Sequence, residues 1–580
     1  MTRSSRLRRP PILLSAPEPV AVAFTGQRAA EKPMTLGQLN ILEWFRNASG
    51  HPYVTIGAEL AVCGDVGVAD VVETIAVLLA RHEGLRTRYR DGDPPTQQVL
   101  DSGVLTLGVC STDGSGPDRS AIAQRLLRQL RAEPLDPAGL PLRIAVAENT
   151  GTVVAAAMDI SHLAADFGAV EIIKQEFAQM LADRSARRAG LPRHQPLDQA
   201  ELESSPAQRR QAEMALRYWR EQLSRMPQCL YATPRTAPSG DSVCAGLSSV
   251  AGALAASAIA ARTRTSRASI VLAAVGAVLA QRTGYRELVF PALAGNRFGP
   301  RLAGYVGTLA QGCLTVLPVA GHDFDALVRT AWTAVLESCR HSRYDAFHRV
   351  EMARRIEHDR GVRFNYEPLF NSVAAETGVP SRDSSPAAIE QARRSTSVSL
   401  RPMPAGSSQL RFDLCQADHV LRLDLWTGDT RRVSPDELRS LLLAVENLLV
   451  AAAAGDLSAE EIRAAVRLEP ITRGPDWVLA DSCWVEPAEV QRVLDEAFGP
   501  DVAKVFAQAG DRQLVAYLAE SESVRTPEQA HARYMAALAG HPTAIAPRHY
   551  VMCAAMPADP ADRSQWRVLR SGDGRSPGES

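Results

Sequence analysis

No two of the nine cysteines, at 63, 110, 229, 244, 313, 339, 415, 483 and 553, stand in a CxxC spacing. A zinc ribbon and a thioredoxin-like motif are therefore not expected, and the odd count at long spacings argues against a secreted disulfide framework. A reducing cytoplasm fits this usage. Charge of one sign is also missing. The formal net charge is −1, which provides no global field for nucleic acid or an anionic membrane. No stretch of about 18 uninterrupted apolar residues occurs, so no membrane span is expected. The basic and then apolar start superficially has the shape of a signal peptide, but Pro10, Pro11, Pro17 and Pro19 break the run. Residues 1–16 and 571–580 are expected to be disordered tails. There is no repeat period of about 20 to 50 residues and no Walker-type glycine loop.

What remains is an ordinary globular composition, 46% hydrophobic and 22% charged, spread over 580 residues, too many for one core. Thr35 to Gln38 has capping-box spacing ahead of an apolar helical face. A strand is expected over Tyr53–Val62, and helices over Val71–Arg81 and Ser120–Arg131. Leu142–Ala147 and Val153–Ile160 have the length of buried strands, with the turn signal Glu148 to Gly151 between them. A helix follows over Ala169–Ala182. The polar, proline-containing segment near 191–208 suggests a linker. Beyond it come helices at LRYWREQL, Ala268–Gln281 and 434–454, and strands at Leu288–Leu293, 362–373 and 420–427. Strands alternating with helices in both halves predict an α/β protein of two layered lobes, near 17–190 and 209–455. A second linker at 456–474 would lead to a small α/β module at 475–570.

The string Met158-Asp-Ile-Ser161-His162-Leu-Ala-Ala-Asp166-Phe167-Gly168 carries the chemistry. It places a histidine and an aspartate four residues apart, just past a buried strand. Imidazole, with an unperturbed pKa of about 6.5, takes and returns a proton near neutrality. The aspartate could orient it or anchor the loop through an arginine. HxxxD alone is weak, since a loop histidine beside a helix start is commonplace.

The string resembles the HHxxxDG motif of nonribosomal peptide synthetase condensation domains, and other landmarks follow in matching order. PMTLGQLNILEW, with Gln38, is similar to the family's opening helix, and LLARHEGLRTRY, with Arg86 and Arg88, to its next block. LDPAGLPLRIAV, LRYWREQL, GNRFGPRLAGYVGTLAQGCLTVLPV and LRLDLWTGDT complete the series over roughly residues 17–455. The resemblance implies a free-standing, monomeric condensation domain with a two-lobed chloramphenicol-acetyltransferase-like fold and a tunnel between the lobes. Acyl or peptidyl carrier proteins would present substrates on phosphopantetheine arms, with no cofactor held by the chain itself. An amine acceptor would attack a donor thioester to give an amide. His162 would be catalytic, and Asp166 would support its loop by pairing with Arg297 or, second, Arg88. Ser161, Phe167, Gly168 and Gln311 would belong to the motif and the tunnel lining.

Two residues depart from the family pattern. Ser161 replaces the first histidine, and Phe167 stands where the glycine after the aspartate belongs, so it must turn away or narrow the channel. These changes keep a catalytically silent platform, which binds a carrier protein or recruits a tailoring enzyme, as an alternative. An ester-forming or coenzyme-A-dependent HxxxD acyltransferase is another. The segment 475–570 resembles the small C-terminal subdomain of adenylation domains. Arg563 stands at that family's lysine and Gln565 at its aspartate, so it is expected to be a remnant without an ATP site.

Overall fold

The computed structural model describes residues 13–47, 55–112, 119–136, 138–188, 190–234, 240–373, 383–403, 410–507 and 513–575. Tyr53 and the first twelve residues of the expected tail lie outside them. The chain divides into two compact units. One comprises Met1–Glu213, Gly295–Gln311 and Arg343–Phe347; the other comprises Met214–Ala294, Gly312–Ser342 and His348–Ser580.

The first unit is built on a five-stranded mixed sheet in the order Glu18–Thr25, Ser102–Ser111, Leu142–Asn149, Thr152–Ser161 and Thr55–Leu60. Leu142–Asn149 and Thr152–Ser161 form the expected hairpin, with Ile144 opposite Met158. Thr150 and Gly151 both have positive φ, the turn geometry whose twist matches that of paired strands. Along Thr152–Ser161 every residue from Ala155 to Ile160 is buried. The helix Val68–Arg81 buries Val71, Ile75, Leu78 and Leu79, a stripe at helical spacing. The helix Phe167–Ala182 adds Val170, Ile173 and Phe177 to the same core.

The order begins earlier than expected. Glu18–Thr25 is an edge strand with Val22 opposite Leu105, and Leu14 bridges Thr112 inside the supposed tail. The segment 191–208 carries the helix Pro196–Glu203 with Leu197 and Ala200 buried. Its polar residues are spent internally: Asp198 pairs with Arg28, and Glu203 accepts from the Leu36 N–H.

The second unit holds a seven-stranded sheet in the order Gln311–Pro318, Glu287–Ala294, Leu369–Ser372, Leu410–Gln416, Leu421–Thr427, Val243–Ser249 and Ser397–Pro402. The helices Arg267–Thr283 and Pro435–Ala453 pack into its main core. The strand expected over 362–373 shrinks to Leu369–Ser372. The N–H groups of Arg363 and Phe364 donate to the side chains of Gln228 and Glu357, so no sheet ladder receives them.

Helix Ala459–Val466 occupies the second expected linker, with Ile462 and Val466 in the core. The module beyond it has a four-stranded sheet in the order Ala503–Ala507, Leu514–Ala519, His549–Cys553 and Val568–Gly572, with helices Pro487–Phe498 and Pro527–Ala537. Buried Gln228 donates to the carbonyls of Pro542 and Ala544, while His531 Nε2 lies 2.8 Å from the His358 carbonyl. Arg575, in the expected tail, donates to the carbonyls of Asp359 and Arg548. The module is thus part of the second unit's compact body.

Candidate active site

Strand Thr152–Ser161 ends because its last residue turns the chain back on itself. The Ser161 N–H donates to the Pro141 carbonyl, closing the ladder, and the Ser161 carbonyl accepts from the N–H groups of Ala164 and Ala165. The Leu163 N–H donates to Ser161 Oγ at 3.3 Å. Ser161 therefore shapes the turn on which His162 stands. The next helix starts at Phe167 with Asp166 as its N-cap, whose Oδ1 accepts from the Ala169 N–H at 2.9 Å.

The Asp166 carboxylate is 4% exposed and fully used. Besides the cap, Oδ1 accepts from Arg297 Nε at 3.1 Å and from Arg297 Nη2; Oδ2 accepts from the Leu309 N–H at 2.9 Å. Arg297 also donates to the carbonyls of Tyr305 (2.7 Å) and Gly307 (2.9 Å). Charge-assisted bonds of this kind are the stronger class. They commit both oxygens of Asp166 to the loop, to Arg297 and to the Leu309 N–H. It fixes the loop and binds the returning segment Gly295–Gln311 to it.

The segment's approach requires small neighbours. A Cβ on Gly37 would run into the Thr308 carbonyl, and one on Gly84 would lie 2.6 Å from the Val306 oxygen. A Cβ on Gly168 would overlap the stem of Arg297. These three glycines come from the TLGQ, RHEGLR and ADFG strings, so separate sequence landmarks meet on one stretch of backbone.

His162 is partly buried, with the Trp44 ring edge-on at a centroid distance of 6.1 Å. Leu163 next to it packs with Met34, Ile41 and Leu42, and Trp44 and Phe347 lie against that cluster. Burial lowers the imidazole pKa below its usual value; the backbone at His162 and Ala165 and the charge of Asp166 oppose this more weakly. The ring is consequently neutral at pH 7, the form that can accept a proton. Nδ1 is buried with no hydrogen-bond partner among the described residues. Among the described residues no side chain completes a triad behind it.

The other expected residues sort clearly. Gly168 and Arg297 join Asp166. Phe167, at the first helical position, is 63% exposed, so the ring turns out into solvent. Gln311 is buried, and its amide donates to the Tyr344 carbonyl at 2.8 Å. Arg88 is exposed on strand Thr87–Arg90 and is not the partner of Asp166; its side chain falls on the solvent face of that strand. Gln38 closes the expected capping box with Thr35 and donates to Gln97. Sequence reasoning missed Trp44 and the Leu309 N–H. A backbone donor has no sequence signal, but the glycines flanking its path gave one.

The profile of the Condensation domain family matches residues 49–415, more than half of the chain and across the His162 loop. The chain belongs to the condensation domain family. Phosphinothricin tripeptide synthetase PhsC of Streptomyces viridochromogenes is 26% identical to this condensation domain over 325 residues, which are 53% of the chain and 29% of that protein. Cyclosporin synthetase simA of Tolypocladium inflatum is 26% identical over 344 residues, 56% of the chain and 2% of that protein. The chain thus spans less than a third of either relative. A solved structure of the condensation domain that mediates chain release from the enacyloxin polyketide synthase has a TM-score of 0.55 at 20% identity, covering 78% of this chain and 86% of that one. This likeness places the condensation domain in the expected α/β, chloramphenicol-acetyltransferase-like fold. Among the described residues no helix is long and apolar enough to cross a membrane.

Proposed function

We propose that this condensation domain is an acyltransferase that joins a carrier-bound acyl or aminoacyl thioester to an amine, forming an amide with His162 as the proton acceptor. The observation that carries the reading is a partly buried imidazole just past the end of a buried strand, on a loop held by the Asp166–Arg297 pair. The amine lone pair attacks the thioester carbonyl, the ammonium proton passes to His162, and collapse of the tetrahedral intermediate expels the thiolate, which takes the proton back. The N–H groups of Phe167 and Gly168, at the first two helical positions, are the candidate donors to the oxyanion, because Asp166 caps the third. The substrates bring their own phosphopantetheine arms, and the chain supplies the base, the oxyanion donors and the binding surface.

The test is incubation of the purified protein with acyl carrier thioesters and amines, read by mass spectrometry. His162→Ala should fold normally and lose about 10²–10⁴-fold in rate, the range for removing a general base. Product formation by the folded variant at the normal rate would exclude His162 as catalyst.

The segment 475–570 fits a remnant of an adenylation-type small subdomain that now serves stability. Arg563 rests over the rings of Phe506 and Tyr517 and donates to the Tyr517 hydroxyl at 3.1 Å. Amino-acid-dependent pyrophosphate exchange should be absent; measurable exchange would refute this reading.

A further inference from the structure

The first unit contains a cavity of about 390 Å³ whose charged lining is Arg28, Arg81, Glu83, Arg86, Arg193 and Asp198. Its charges do not cancel. Arg28 takes up both acids: Nε lies 2.7 Å from Glu83 Oε1, and its two terminal nitrogens reach Asp198 at 2.7 and 3.0 Å. The one remaining oxygen, Glu83 Oε2, accepts from the Leu197 N–H, and Asp198 Oδ2 accepts from the Gln195 N–H as well. Arg81 finds its counterion in Glu176, outside the lining. Arg86 and Arg193 form no ion pair among the described residues; Glu83 and Asp101 act on Arg86 only through longer-range attraction.

Arg86 is the more demanding of the two, because its side chain is only 2% exposed. Its Nη1 donates to the carbonyls of Arg28 and Leu100, while Nε is buried with no hydrogen-bond partner among the described residues. Arg575 shows how a guanidinium closes itself on backbone alone, giving all three nitrogens to carbonyls. Arg86 commits only one. A buried cation in that condition calls for an anion. Arg193 is exposed and stands at the rim. A phosphate monoester offers three acceptor oxygens to two separate guanidinium groups, where a carboxylate offers only two. Guanidinium forks also suit phosphate oxygens.

We propose that this cavity binds the phosphate group of a small molecule, with Arg86 as the buried anchor and Arg193 as the rim cation. No residue of the His162 loop lines the cavity, and the inference does not depend on the acyl-transfer reading. Calorimetric titration with inorganic phosphate, at constant ionic strength, should give saturable binding to one site, with acetate weaker by about tenfold or more. Arg193→Glu should weaken phosphate by about tenfold or more while the circular dichroism spectrum stays unchanged. Arg86→Lys, which cannot reproduce the planar fork, should weaken it as well. If Arg86→Lys fails to fold, Arg193→Glu decides alone. Absence of saturable phosphate binding, equal binding of acetate, or undiminished binding to Arg193→Glu would overturn the proposal.

Discussion

Two arginines at positions matched to motifs, Arg297 in the first unit and Arg563 in the C-terminal module, have met opposite fates. Arg297 donates through every one of its nitrogens and shares a carboxylate that is 4% exposed. Arg563 lies on a short exposed turn, held by two ring faces and one hydroxyl. The first is fixed from several directions at once, and losing any partner strands buried charge. The second makes contacts that water could replace. Geometry fixed from several sides leaves Arg297 one position, whereas Arg563 rests on the few contacts beside it.

That contrast breaks most sharply at the Asp166–Arg297 pair. Asp166→Ala should destabilise the protein by about 3–5 kcal/mol, the usual cost of stranding a buried partner, and lower activity with it. Arg297→Ala should do the same, and the double variant should be less damaged than the sum of the two. Thermal or denaturant unfolding measures all three; strict additivity would mean that the pair does not act as a unit.

Gly168→Ala comes next. A methyl there would force Arg297 off its carboxylate, with an overpacking cost of about 1–3 kcal/mol. The loss should disappear when Arg297→Ala is already present, because the clash then has no object. An equal loss in both backgrounds would place the strain elsewhere.

The pH profile sharpens the picture of His162. Burial lowers its pKa, so the neutral base persists below pH 6.5. The rate constant kcat/KM should therefore hold as pH falls through 6.5 and drop only below it, through the lowered pKa. A midpoint above 6.5 would show that the charged form is stabilised instead. The smallest effect belongs to Arg563→Ala, where an exposed cation–π contact is worth about 0.5–1 kcal/mol. A loss as large as that of Asp166→Ala would end the comparison.

The His162 loop was legible because strand period, turn signals and an HxxxD string all fell within one stretch of about 25 residues. The hairpin Leu142–Asn149 and Thr152–Ser161 and the helix after it formed close to their expected bounds. Segments whose structure depends on distant partners were misread. The residues near 196–203 look like a linker by composition, yet they fold because Asp198 and Glu203 find Arg28 and the Leu36 N–H across the unit. The stretch 362–368 has the composition of a strand, but its N–H groups are taken by Gln228 and Glu357. Polarity and propensity describe a residue alone, and in these places a partner far along the chain decided.

The sequence by itself determined the layered α/β character, the position of His162 at a strand end, and the helix that follows it. These follow from local periodicity and turn signals, which act over a few residues. Only the tertiary structure decided that Arg297 and not Arg88 meets Asp166, that Phe167 faces solvent, and that Gly168 exists to make room for a guanidinium. Each of these depends on the path by which residues 295–311 return to the first unit. A contact between residues 131 apart in sequence is set by the packing of everything between them.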